Sequence, residues 1–194
     1  MKNTDYISTT TEGLRNFRFE FGNTITTINT EKSISNWAFI DMQNLYKSVQ
    51  DGGWKINWNL FRKYLVNYHN VTTAVVFMGY IKKYDGIYTR IKKAGFIIEF
   101  REVSQKNNGI IDGGNVDADL AAYMMDYKRD YDKAILIADD GDYTNTIRSL
   151  VRQNKLKTII SSHPIKSTSK LIRKEVSPNL ILSIDSIRNL VELK

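Results

Sequence analysis

Ala134-Ile135-Leu136-Ile137-Ala138-Asp139-Asp140-Gly141-Asp142 is an unbroken apolar run that stops on three aspartates within four residues. A second stretch, Trp37-Ala38-Phe39-Ile40-Asp41, ends in the same way on one. Apolar runs of this length, without polar alternation, suit strands of a parallel sheet that is covered on both faces. Such sheets bind ligands beyond the carboxyl ends of their strands, so two runs ending on acids predict one crevice lined by carboxylates. Like charges gathered there are unfavourable unless they are protonated or joined by a cation, and a divalent ion is the simplest partner.

The same punctuation continues outward from these two runs. Further strand-like runs fall at 71–78, 96–100, 157–161 and 180–184. Between them lie segments with helical spacing, at 57–67, 84–94, 116–128, 143–154, 166–175 and 185–193, and Gly95 is placed to stop the second. The alternation predicts an α/β fold with a mostly parallel central sheet between two helical layers. Residues 1–35 read differently, as a polar arm rich in Thr, Asn and Ser and expected to be partly disordered. Within it, alternation around Phe17, Phe19 and Phe21, then Gly22-Asn23 and Thr24-Ile25-Thr26-Thr27-Ile28, suggests a hairpin. It would cover a sheet edge or a partner, including a second copy of the chain. The remaining 36–194 is long enough for one buried core.

Charge narrows the chemistry. From 144 to 194 there are ten Lys or Arg against three Asp or Glu, enough to account for the whole net charge of +7. From 109 to 143 there are nine Asp but only three basic residues, Lys128, Arg129 and Lys133. An acidic centre beside a basic wall suits a phosphate-bearing polymer, although solvated helix faces would give each run singly. The apolar runs are strand-sized, so no membrane span is expected, and a polar start without an apolar signal core points to the cytoplasm. With no cysteine and two histidines, thiolate sites are excluded and imidazole sites have little support.

Each acid has a structural alternative. Asp41, with Asn44 three residues on, reads as a strand-end carboxylate with an orienting amide, or as an ordinary turn. Asp117 heads the apolar face formed by Leu120, Ala121 and Met124, pointing toward the sheet, or else serves its own helix start with Asn115 as the cap. Asp140 and Asp142 bracket Gly141, whose backbone freedom would turn both inward; Asp-Gly is also a common turn. Lys166, Ser167, Lys170 and Lys174 follow the fifth strand into a helix, where an anion could be held, with Arg148 on the preceding helix facing the same way.

Three blocks, Phe39-Ile40-Asp41-Met42-Gln43-Asn44, Gly114-Asn115-Val116-Asp117-Ala118-Asp119-Leu120 and Ala138-Asp139-Asp140-Gly141-Asp142-Tyr143, together resemble the signatures of the NYN domain. That family is a branch of the PIN-like nucleases and includes LabA-like proteins. The resemblance implies a Rossmann-like (PIN-like) three-layer sandwich and a metal-dependent ribonuclease. Asp41, Asp117, Asp140 and Asp142 would match its metal-site positions, and Asn44 the polar residue beside the first. One or two Mg²⁺ or Mn²⁺ ions and an RNA substrate, single-stranded or structured, follow from it. In this expectation Asp41 and Asp140 anchor the main ion and Asp117 and Asp142 complete its shell. Lys166, Lys170 and Lys174 hold flanking backbone, and Tyr46, Tyr80, Trp54 or Tyr143 stack bases. The chain departs from the usual pattern at Met42, where glycine is usual, and at Asp139, which adds a charge expected at the entrance. The alternatives are a non-catalytic RNA-binding module with a vestigial pocket and a phosphatase-type α/β hydrolase. The latter lacks its usual second aspartate two residues after Asp41.

Overall fold

The computed structural model describes residues 10–11, 14–21, 24–31, 33–101, 104–105, 111–112 and 116–194. They form two compact units, Met1–Ile34 and Ser35–Lys194. In the first, β1 (Thr10–Thr11), β2 (Leu14–Phe21) and β3 (Thr24–Glu31) make an antiparallel sheet in that order, with Phe17 paired to Ile28 and Phe19 to Thr26. The Gly22-Asn23 turn and residues 1–9 of the arm lie outside the described residues.

The second unit runs β4 (Asn36–Asp41), α1 (Met42–Asp51), α2 (Trp58–His69), β5 (Val71–Gly79), α3 (Asp85–Lys93) and β6 (Ile97–Arg101). After the short strands β7 (Ser104–Gln105) and β8 (Ile111–Asp112) come α4 (Asp117–Asp126), β9 (Ala134–Ile137) and α5 (Thr144–Arg152). β10 (Leu156–Ser161), α6 (Lys170–Glu175), β11 (Ile181–Ser183) and α7 (Arg188–Val191) complete it. The central sheet has the order β11-β10-β9-β4-β5-β6 and every pairing in it is parallel.

Both faces of this sheet are apolar, which is why its strands read as continuous runs. Ala38 and Ile40 of β4, with Val76 and Ile137, pack against Leu45 of α1, Leu65 of α2, Ile91 of α3 and Val191 of α7. The alternate residues Phe39, Phe77 and Leu136 pack against Leu120 and Met124 of α4, Ile147 of α5 and Ile172 of α6. The result is a three-layer α/β sandwich with the doubly wound strand order. The first three parallel strands run outward from β4 and the last three run outward from β9, so these neighbours flank the topological switch point, the place where sheets of this kind bind ligands. Among the described residues no helix is long and apolar enough to cross a membrane.

Candidate active site

Asp41 is the last residue of β4 and the cap of α1, which starts directly after it. Its Oδ1 accepts the Asn44 N–H at 3.0 Å and its Oδ2 accepts Asn44 Nδ2 at 2.5 Å. The side chain is 2% exposed. Ile40 lies opposite Ile137 in the sheet, so Asp41 stands one strand away from the acidic end of β9. Asp117 opens α4, whose Leu120 and Met124 are buried against the sheet below it. These two carboxylates are the pair the structure brings together.

They meet on a tyrosine. The Tyr143 hydroxyl, with one hydrogen to give, lies 2.6 Å from Asp117 Oδ1 and 3.1 Å from Asp41 Oδ2. Tyr143 is fully buried, so it stacks no base; its ring belongs to the apolar face of α5 with Ile147 and Leu150. Burial raises the Asp41 carboxyl above its ordinary range, and the Asp117 charge adds to this, while the bonds from Asn44 and Tyr143 pull the other way. Burial and the two flanking carboxylates also hold the Tyr143 phenol far above the usual tyrosine range, which keeps it a donor.

Asp140 and Asp142 occupy the turn after β9, and both are exposed. Asp140 Oδ1 accepts the Asp142 N–H at 3.1 Å, capping the short 3-10 helix Gly141–Tyr143. Gly141 does not use a positive φ there. A Cβ there would come within 2.9 Å of Ser169 Oγ, which would have to shift. Asp139 turns away from the crevice instead of charging its entrance. Its Oδ2 accepts from Ser161 Oγ at 3.2 Å and from the His163 backbone N–H at 3.0 Å, and lies 2.7 Å from His163 Nδ1. Met42 is nearly buried in the core under α1.

The basic wall differs from its expected form. Arg148 is committed to Glu175, through Nε at 3.0 Å and Nη2 at 2.6 Å. Lys166 and Ser167 lie in a 3-10 turn, Ile165–Ser167, and α6 begins only at Lys170 and has six residues, too short for the helix-end anion site expected. Ser167, Lys170 and Lys174 are exposed. Trp54 is 4% exposed and cannot stack a base, whereas Tyr46 and Tyr80 are open to solvent. Asn115, expected to cap α4, lies outside the described residues.

A cation in the crevice would have to be held by these donors. Among the described residues no three His, Asp or Glu side chains gather closely enough to hold a metal ion by themselves. Two carboxylates do converge, and all the nearby donors are oxygens apart from the Asn44 amide. That fits a hard cation such as Mg²⁺, which commonly takes one or two carboxylates and completes its shell with water and substrate phosphate. The raised Asp41 is consistent with it, since a nearby cation would offset the cost of a buried negative charge.

The NYN domain family model matches residues 37–181. Among solved structures, the chain resembles the crystal structure of a protein of unknown function, VPA0982, from Vibrio parahaemolyticus RIMD 2210633. The TM-score is 0.67 at 17% identity, over 86% of this chain and 100% of the other, a likeness of fold alone. No curated protein sequence matches the chain.

Proposed function

The chain belongs to the NYN domain family, and from that membership we propose that it is a divalent-metal-dependent ribonuclease acting at the crevice beyond β4 and β9. The observation that carries this reading is the meeting of Asp41 and Asp117 on one buried hydroxyl at the switch point of the sheet. Mg²⁺ or Mn²⁺, as one or two ions, suits the oxygen donors. Such ions polarise a scissile phosphate and lower the pKa of a bound water.

The chain's own residues do the positioning. Asn44 fixes both Asp41 oxygens, and Tyr143 sets the spacing between Asp41 and Asp117 before any substrate arrives. Burial of Asp41 keeps bulk water from screening the site. Asp140 and Asp142, exposed on the turn after β9, would complete the shell of such an ion through water. Ser167, Lys170 and Lys174 hold phosphates flanking the cut, while Arg148 serves by fixing α5 to α6 through Glu175.

The test is incubation of labelled single-stranded RNA, duplex RNA and DNA with the protein in Mn²⁺, Mg²⁺ or chelator. Metal-dependent cleavage of RNA that Asp41→Asn, Asp117→Asn and Asp140→Asn each reduce at least about 100-fold is the expected result. Binding without cleavage in every form overturns the reading in favour of a non-catalytic RNA-binding module. Release of phosphate from small monoesters overturns it in favour of a phosphatase.

A further inference from the structure

A groove of about 760 Å³ runs along the flank of α1, starting at Met42, the residue after Asp41. Met42, Tyr46 and Gln50 recur at helical spacing on one wall, so the groove follows α1 for its whole length, about 15 Å at 1.5 Å per residue. Trp58, at the start of α2, and Arg90 and Lys93 of α3 also line it. Lys55, after α1, lines it as well.

Three properties of this wall identify an occupant. Its charged residues among the described ones are Lys55, Arg90 and Lys93, so every charge is positive and no carboxylate lines it. All three are exposed. Tyr46, 49% exposed, and the half-buried Trp58 offer aromatic surface next to those cations. Gln50 and Asn59 add exposed amides able to meet base edges. A cationic channel with aromatic platforms is what single-stranded nucleic acid requires, because every base has a face to stack and every linkage a negative charge. A duplex, with its bases stacked inside, would leave Tyr46 and Trp58 unused.

We infer that this groove is the seat of the single-stranded RNA that flanks the scissile bond, held by Lys55, Arg90 and Lys93 and stacked on Tyr46 and Trp58. The identity of the polymer as RNA rests on the ribonuclease reading. On this assignment a duplex, whose bases stay stacked inside, is the poorer ligand.

The test uses the full chain and a fluorescein-labelled oligouridylate in chelator, with binding read by anisotropy over a range of salt. Arg90→Glu combined with Lys93→Glu is expected to weaken binding more than about tenfold and to lower the salt slope by about one for each phosphate no longer neutralised. Tyr46→Ala, at an exposed position where folding is not at issue, is expected to weaken it at least about fivefold. Lys128→Glu combined with Arg129→Glu, away from the groove, should leave binding unchanged. Wild-type affinity in the groove variants overturns the inference, as does equal weakening by the Lys128/Arg129 pair or equal competition by polyglutamate. Cleavage in Mn²⁺ separates the two readings. Undiminished cleavage of the oligouridylate by the groove variants sinks the groove and spares the nuclease. Groove-dependent binding with no cleavage by any form sinks the nuclease and leaves the groove.

Discussion

One hydroxyl hydrogen cannot satisfy two carboxylates, and Tyr143 stands between Asp41 and Asp117 with only one to give. In Tyr143→Phe that donor is gone from between the buried Asp41 and the half-buried Asp117. Urea unfolding in chelator should show a loss of about 1.5–3 kcal/mol, the worth of a hydrogen bond to a charged group. Asp41→Asn should act in the opposite sense. It removes a buried charge beside Asp117 and keeps a side chain that caps α1, so it should melt above the wild type in chelator while losing cleavage. A separate residue sets the acid response. Burial, with a smaller effect of Lys157, holds the His69 imidazole below its ordinary range, where it lies 3.1 Å from Tyr64 Oη. As pH falls through the ordinary histidine range, the unfolded chain takes up that proton first. Stability should therefore decline from about pH 7 downward until the lowered folded value is passed. His69→Gln should flatten that slope in denaturant titrations. The acids of the site are legible in sequence as strand-end and helix-start carboxylates, but their linker is not. Tyr143 reads there as a candidate stacking ring, although its spacing with Ile147 and Leu150 already marks a buried face.

The six strands of the central sheet are legible because burial on both faces writes each as an apolar run, and their observed ends lie within two residues of the expected ones. The helix α1 is not, because an aspartate with an asparagine three residues on suits a turn as well as the cap and first turn of a helix leaving the strand without a loop. The spacing of Met42, Leu45 and Val49 carries the missing signal, since all three are buried. At the other end, the helix expected from 166 begins only at Lys170, because Ser169 caps α6 and donates its own N–H to Asp139 O. The cap is a local signal, whereas the bond to Asp139 O is a tertiary contact that local pattern does not show. Gly95 shows a local rule that holds: it follows α3 at φ +89, and a Cβ there would meet only Arg62, at 3.8 Å. Gly95→Ala should therefore cost about 1–2 kcal/mol of backbone strain and nothing from packing, measured by chemical denaturation.

For the whole molecule, strand order decides where chemistry can occur. Of the strands next to the switch point, β4 ends on Asp41 and β9 is followed within three residues by Asp139 and Asp140, so the topology brings acids to adjacent strand ends even though their contacts differ from those expected. The sequence indicates which strands end in acid; it does not indicate that Asp117 joins Asp41 while Asp139 turns to His163. The basic residues of α6, Lys170 and Lys174, and the groove along α1 lie on opposite layers of the sandwich, so RNA would be held from two sides of the sheet. All of this depends on Asp41 and Asp117 gripping an ion jointly. Titration of the protein with Mn²⁺, followed by electron paramagnetic resonance and by melting temperature, measures that grip directly. The account predicts saturable binding with a rising melting temperature, and at least about tenfold weaker binding in both Asp41→Asn and Asp117→Asn. Unchanged Mn²⁺ affinity in those variants, or no shift in melting at millimolar Mn²⁺, would contradict it.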